Sequence, residues 1–181
     1  MALTRLGLNQ SINLASNVTG TLATGNGGTG ATSFAPGKVL QLVNAFKTDA
    51  NTLTTSSSVT DVANLTCSIT PSSTSNFVYV TANFIYQLFG NSSTTTPHGQ
   101  VLLLNNADTV LAKNQFYENI PNNDHSADGQ GTLEAYYNPS TTSQISFNLG
   151  ILASAGRILI YGDDQSYTTK PTQITVMEIS A

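Results

Sequence analysis

Charged side chains are scarce in this sequence. Only 9% of the 181 residues are charged, with six basic and ten acidic residues and a formal net charge of −4. The Lys and Arg residues are scattered along the chain, whereas a nucleic-acid surface needs them clustered. The composition therefore predicts a protein that does not bind nucleic acid.

Cysteine is nearly absent, and long apolar runs are missing. Cys67 is the only cysteine, which excludes a disulfide within the chain. It alternates with polar neighbours in Leu65-Thr66-Cys67-Ser68-Ile69, a pattern that predicts a small buried apolar side chain rather than a reactive thiol. No run reaches the length of a membrane span, and the N-terminus lacks the apolar region of a signal peptide. We expect no membrane insertion.

Catalytic motifs are also lacking. The sequence contains neither G-x-S-x-G nor H-E-x-x-H. His98 and His125 fall in different predicted loops. The adjacent Asp163 and Asp164 would point opposite ways on a strand, which does not suit a pair of catalytic carboxylates. We expect no enzymatic activity and no cofactor.

A glycine-rich stretch, Gly25-Asn26-Gly27-Gly28-Thr29-Gly30, divides the chain. Its sequence matches the G-x-G-x-x-G pattern of a dinucleotide-binding loop, but such a loop follows a buried strand and begins a helix. Here few large apolar residues precede it, and Pro36 and Gly37 follow where a helix would extend. We interpret Gly25, Gly27, Gly28 and Gly30 as a hinge, because glycine permits backbone angles that other residues avoid.

Residues 1–37 form a predicted N-terminal arm. Their large apolar residues are widely spaced among Asn, Ser, Thr and Gly, which is too little apolar area to order the segment by itself. The leucines and the isoleucine near its start are predicted to dock on another surface; these are Leu3, Leu6, Leu8, Ile12 and Leu14.

From residue 38 to residue 181 the pattern changes to short β-type runs separated by turn residues. Nine runs are predicted, with no helical periodicity, at 39–46, 62–70, 77–89, 100–104, 109–117, 132–138, 144–154, 157–161 and 172–179. Asn105-Asn106 and Ala155-Gly156 are predicted tight hairpin connections. The fold class is therefore all-β, an antiparallel jelly-roll-like sandwich preceded by the extended arm.

The run at 77–89 is the longest and carries apolar residues on both faces. One face alternates without interruption, as expected for a strand over a core. The opposite face carries Phe77, Tyr79 and Ile85 among polar residues. We predict that these three contribute to a subunit interface.

The loop at 122–129 is the best candidate for a metal site. Asp124, Ser126 and Asp128, followed by Gly129, resemble the first half of a calcium loop. The twelfth position is Ala135 instead of a bidentate acid, and a solvated Asx-rich turn is the alternative explanation.

Several tyrosines and one histidine lie near predicted loops. Aromatic rings in such places stack on sugars or contact a protein partner, although aromatic residues at β positions more often belong to a core or an interface. The residues are Tyr117, His125, Tyr136, Tyr137 and Tyr167.

The arm carries a specific resemblance. Asn17-Val18-Thr19-Gly20-Thr21-Leu22, continuing to Gly25-Asn26-Gly27-Gly28-Thr29-Gly30, resembles the T-G-T-L…N-G-G-T-G leader of tailed-bacteriophage fibre and virion surface proteins, especially those of marine phages. Ala23-Thr24-Gly25 stands where Pro-Val-Ala is common. The closing Gln173-Ile174-Thr175-Val176-Met177-Glu178-Ile179 is similar to the end of short members of that group.

This resemblance implies a non-enzymatic virion component, made in the bacterial host cytoplasm and commonly homotrimeric. It implies an N-terminal anchor and a jelly-roll head like that of the tumour-necrosis-factor superfamily. Two placements remain open: a capsid decoration or short-fibre protein, and a tail-fibre knob that recognises a host-surface glycan or protein. A carbohydrate-binding module and a secreted lectin are competing classes.

Deleting residues 2–30 is expected to abolish incorporation into particles and to leave a soluble trimer, because the arm anchors and the body assembles. Immunoblots of purified particles would measure incorporation. Particles that still carry the truncated protein would contradict this division of roles between arm and body.

Replacing Gly27 and Gly28 with valine is expected to impair assembly while barely changing the melting temperature of the body.

Overall fold

Ten β-strands make up the part of the chain that the computed structural model describes, which is residues 38–90, 96–118, 126–162 and 172–181. None of these residues forms a helix long and apolar enough to cross a membrane. The strands are β1 (Val39–Phe46), β2 (Thr52–Thr54), β3 (Thr60–Ile69), β4 (Phe77–Phe89), β5 (His98–Asn105), β6 (Val110–Tyr117), β7 (Ser126–Tyr137), β8 (Ile145–Ala155), β9 (Arg157–Ile160) and β10 (Gln173–Ile179).

Two antiparallel sheets pack face to face. One has the order β1-β10-β4-β7, and β9 and β2 extend it beside the C-terminal half of β4. The other has the order β3-β8-β5-β6. Setting β2 and β9 aside, these are the two four-stranded sheets of a jelly roll, built from two Greek keys. The predicted all-β, antiparallel jelly-roll-like sandwich is confirmed.

The core lies between the sheets, and β4 crosses its whole length. Every second residue of β4, from Val78 to Leu88, is buried. Cys67 is buried as predicted, and its thiol donates a long hydrogen bond to the Val43 carbonyl at 3.6 Å. Burial raises the pKa of the Cys67 thiol, so it behaves as a small apolar side chain.

Strand β7 corrects the predicted run at 132–138, because it begins earlier, at Ser126. Residues from Ser126 onward pair with β4 in a continuous register that places Gly129 opposite Tyr86 and Gly131 opposite Phe84. A Cβ atom on Gly129 would lie 2.4 Å from Tyr86 Cζ, and one on Gly131 would lie 2.5 Å from Phe84 Cζ. The glycines therefore make room for aromatic rings that cover the edge strand.

The two predicted hairpin connections have different outcomes. The turn at Ala155-Gly156 is present, and Gly156 has a φ of 72°, which glycine adopts without strain. The connection at Asn105-Asn106 is longer than predicted, because Asn105 is the last residue of β5 and β6 begins at Val110. The Asn105 side chain accepts hydrogen bonds from the backbone of Ala107 and Thr109.

A buried carboxylate holds one end of the sandwich together. Glu178 is fully buried and accepts hydrogen bonds from the Ser72 backbone at 2.7 Å and the Asn76 amide at 2.6 Å. The Ser72 hydroxyl and the Gln41 amide also donate to it. Burial alone would raise the pKa of Glu178, but these hydrogen bonds outweigh burial and lower the pKa to about 2.

A second polar cluster surrounds Lys47, which is also fully buried. Its ammonium group lies 2.6 Å from Asp49 Oδ1 and donates to the Ala63 carbonyl at 3.0 Å. Asp49 also accepts a hydrogen bond from Asn64, whose φ of 54° lies in the left-handed region. Hydrogen bonds from Lys47 and then Asn64 lower the pKa of Asp49. The chain after β1 is thus tied to β3.

Replacing Glu178 with glutamine is expected to lower the free energy of unfolding at neutral pH by about 1–3 kcal/mol, because one of its two buried acceptor oxygens becomes an NH2 group that faces another donor. Since folding lowers the pKa of Glu178, its stabilisation is present above the unfolded value of 4.5 and is lost as the pH falls toward about 2. Urea unfolding at several pH values would show this loss in the wild type and a smaller one in Glu178→Gln. The exposed Glu134→Gln is the control, and equal pH profiles for all three proteins would contradict the account.

Replacing Gly131 with valine is expected to lower the free energy of unfolding by about 1–3 kcal/mol, since the added side chain would overlap the buried Phe84 ring. Gln130→Val, at the exposed neighbouring position on β7, is the matched control for changed β-propensity. Unfolding in urea measures both. Equal stability of the two variants would show that Phe84 does not need the space above Gly131.

Candidate functional site

The outward face of the six-stranded sheet is apolar at one end. The outer face of an antiparallel sandwich normally carries polar residues. Here the strand register places Leu42, Met177, Tyr79 and Tyr136 in one outward row across β1, β10, β4 and β7. Leu42 is 54% exposed and Tyr136 is 60% exposed. Four adjacent strands therefore present large apolar side chains to the outside.

A second outward row lies beside the first. Val39 pairs with Ile179, which pairs with Phe77 on β4. The Phe77 ring stacks on Tyr136 with 4.7 Å between ring centroids and 13° between planes. We call the two rows together the outer apolar face; it consists of Val39, Leu42, Phe77, Tyr79, Tyr136, Met177 and Ile179.

The outer apolar face has a sharp polar border. The next outward row consists of Asn44, Thr175, Thr81 and Glu134. Ile85 lies beyond this border, six residues from Tyr79 or about 20 Å along the strand. Of the three predicted interface residues, the structure therefore brings Phe77 and Tyr79 together and places Ile85 elsewhere on the sheet.

The chemistry of this face suits association, since it carries no ionisable group except the tyrosine phenols. An exposed apolar patch with a polar rim is typical of a protein–protein contact. Its side chains lie on four strands that are joined by backbone pairing, with one bulge between Val39 and Gln41 on β1. Such a surface can bind a complementary apolar surface without refolding.

The calcium candidates are only partly described. Asp124 lies outside the described residues. Ser126 and Asp128 belong to β7, where the Gln87 amide donates to the Ser126 hydroxyl at 2.9 Å and the Tyr161 hydroxyl donates to Asp128 at 3.3 Å. Within the described ranges, no three His, Cys, Asp or Glu side chains lie together as a metal site would require. Calcium binding stays a prediction.

A second exposed aromatic group lies on the four-stranded sheet. Tyr117, at the end of β6, is 65% exposed, and its ring stacks on His98 with 3.9 Å between centroids and 15° between planes. His98 Nδ1 shares a hydrogen bond of 2.5 Å with the Ser154 hydroxyl. Sequence reasoning named Tyr117 and His98 separately. It did not pair them, because they are neighbours only across the β5–β6 ladder.

Other candidates fall outside the described residues: the arm with Leu3, Leu6, Leu8, Ile12 and Leu14, the hinge glycines, His125, the Asp163-Asp164 pair and Tyr167. Sequence reasoning also missed residues inside the described part. Leu42, Met177 and Ile179 contribute to the outer apolar face, and the available signal was that both β1 and β10 carry apolar residues on both faces.

No family model matches the chain, and no curated protein matches it. Solved structures that resemble it include Eiger, a tumour necrosis factor from S. frugiperda, at 13% identity and a TM-score of 0.42, covering 78% of this chain and 93% of that one. Another is the VP2 subviral particle of infectious bursal disease virus, at 10% identity and a TM-score of 0.37, covering 78% of this chain and 37% of that one.

A third is the enzymatically active domain of tailspike protein 4 from bacteriophage CBA120, at 15% identity and a TM-score of 0.23, covering 67% of this chain and 18% of that one. The structural neighbours thus include a tumour necrosis factor, a VP2 subviral particle and a phage tailspike. Because all three TM-scores lie below 0.5, the fold assignment rests on the strand order of the two sheets.

Proposed function

We propose that this protein is a non-enzymatic phage virion structural protein that assembles as a homotrimer through the outer apolar face. The observation that carries the proposal is the pair of outward apolar rows across β1, β10, β4 and β7. A core already fills the other side of this sheet. Among the residues that the structure describes, nothing covers the outward rows, and they suit burial against another copy.

Most oligomers of identical chains have closed symmetry. When a face binds a different surface on the next copy, the assembly forms a ring if the rotation closes and a filament if it does not. The polar border limits the contact to one end of the sheet. That geometry suits a small ring in which each copy covers its neighbour, and the phage leader resemblance supports three copies.

The virion assignment is supported by the leader resemblance in the arm. An arm with spaced leucines ahead of a self-associating head suits attachment to a larger particle, with Leu3, Leu6, Leu8, Ile12 and Leu14 as the anchor. We place the protein on the capsid or tail surface, as a capsid decoration or short-fibre protein. In this role its partners are its own copies and other virion proteins.

A second candidate function is a tail-fibre knob that recognises a host-surface receptor. The observation that favours it is the exposed Tyr117 ring on the four-stranded sheet, which lies on the opposite side of the sandwich from the outer apolar face. The two functions are compatible, since different sheets would serve assembly and recognition.

Replacing Leu42 with lysine is expected to weaken self-association by at least about tenfold, because a charge would have to be buried against an apolar surface. Light scattering coupled to size-exclusion chromatography of the full chain would measure it. The wild type should have a mass near three times 19.0 kDa, and the variant should shift toward a single chain on dilution. Tyr79→Lys should behave in the same way.

Val110→Lys is the matched control, since Val110 is an exposed strand residue on the other sheet, with 46% exposure. It should keep the wild-type mass. Melting temperatures would show that all variants fold. A wild-type chain that stays monomeric at high micromolar concentration, or a Leu42→Lys variant with unchanged mass, would contradict assembly through this face.

A further inference from the structure

Strand β1 forms one edge of the six-stranded sheet. Among the described strands it pairs only with β10, so one side of its backbone has no strand beside it. A free strand edge presents N–H and C=O groups that can pair with another chain, and natural proteins usually protect such edges with charged residues, proline or bulges. Strand β1 has one bulge, at its start between Val39 and Gln41, and carries neither a charged residue nor a proline.

The backbone register shows which groups of β1 are free. Hydrogen-bonded and non-hydrogen-bonded residue pairs alternate along an antiparallel ladder. Directly after β1 and in the same register, the Lys47 N–H donates to the Thr172 carbonyl at 2.8 Å. In steps of two from this pair, the odd-numbered residues after the bulge bond to β10. The backbone groups of Leu42, Asn44 and Phe46 therefore point to the free edge, where no described residue bonds to them.

The other long edge strands carry charge. Strands β3 and β6 are the edges of the four-stranded sheet, and β7 is the edge of the larger sheet on the far side of β4. Their charged residues are Asp61 on β3, Lys113 on β6, and Asp128 and Glu134 on β7. Among the described edge strands of at least eight residues, β1 is thus the one without a charge.

We infer that β1 pairs with β1 of a second copy, antiparallel and around a two-fold axis, so that the two larger sheets become continuous. A two-fold axis brings each residue near the same residue of the other copy. A charge near the axis would therefore repel itself, and β1 has no such charge. The contact is closed, because each copy uses its free edge to cover that of the other.

An axis through Asn44 fits the free backbone groups. Asn44 would exchange both backbone hydrogen bonds with Asn44 of the second copy, and Leu42 would do so with Phe46 of the second copy. Leu42 and Phe46 are exposed and apolar, so their side chains would form cross-strand pairs on the outward face. The pairing uses the strand edge, whereas the proposed trimer buries the outward face. This inference therefore does not depend on the trimer.

The experiment is sedimentation velocity of the full chain from low to high micromolar concentration. Beyond trimer formation, a second association step should appear, which joins two trimers. Asn44→Pro should weaken this step at least about tenfold, because proline has no N–H to donate across the axis. Since that N–H points away from β10, the melting temperature should change little. Asn44→Ala keeps the N–H and should keep the step.

Asn44→Lys is a second variant, which leaves the backbone groups in place. It should also weaken the step at least about tenfold, because two lysines would meet at the axis. Thr81→Lys is the matched control for the added charge, since Thr81 lies in the same outward row but two strands away from the edge. It should keep the step.

Tyr79→Lys separates the two contacts, because Tyr79 lies in the outer apolar face on β4 and not at the edge. It should lose the trimer and still form pairs of chains at high micromolar concentration, with a mass near twice 19.0 kDa. In these pairs the amide protons of Leu42, Asn44 and Phe46 should exchange with solvent at least about tenfold more slowly than at low concentration.

The inference is overturned if neither the wild type nor Tyr79→Lys shows the step, or if Asn44→Pro and Asn44→Lys associate as well as the wild type. Either result would leave trimer formation, and with it the proposed function, unaffected. A wild type that forms pairs of chains but no trimer would support the β1 contact and contradict the proposed assembly.

Discussion

The constraint on which the rest of this structure depends is that a two-sheet sandwich buries only one face of each sheet. Strand β4 runs through the middle of the larger sheet, and its inward residues lie in the core. Its outward residues at one end, Phe77 and Tyr79, are nevertheless large and apolar. Large apolar residues also lie on the outward face of β1, β10 and β7. The apolar surface that the described part of the chain leaves uncovered is the basis of the proposed assembly.

The buried Glu178 cluster lies directly behind this outward surface. Gln41 precedes Leu42, Glu178 lies between Met177 and Ile179, and Asn76 precedes Phe77. Because hydrogen bonds to one carboxylate join these residues, the strands that present the outer apolar face are fixed from inside. Fully satisfied polar clusters of this kind rigidify their surroundings. The hydrogen bonds to Glu178 thus help to hold in place the strands that carry the proposed interface.

Much of the fold could be predicted from the sequence. Strands β1 and β4 have the predicted bounds, since both are runs of mainly apolar residues between polar or glycine-containing segments. The predicted start of β7 was wrong because Asp128, Gly129 and Gly131 are typical of a turn. The glycines are explained only by the rings of Tyr86 and Phe84, which occupy the space beside them. The short β2 was missed within a Thr/Ser-rich stretch, where its pairing with β9 decides its conformation.

Neither candidate surface could be predicted from the sequence, because the pairing of strands that are distant in sequence brings Leu42 next to Met177 and His98 next to Tyr117.

The two sheets therefore offer two different surfaces: one is apolar and suited to a second copy, and the other carries the exposed Tyr117 ring stacked on His98. The central claim concerns the first. A density map of the full chain in its assembled form, at side-chain resolution, tests it most directly. The account predicts that Leu42, Tyr79 and Tyr136 contact another copy around a three-fold axis, while the four-stranded sheet faces outward. An assembly in which these residues face solvent would contradict it.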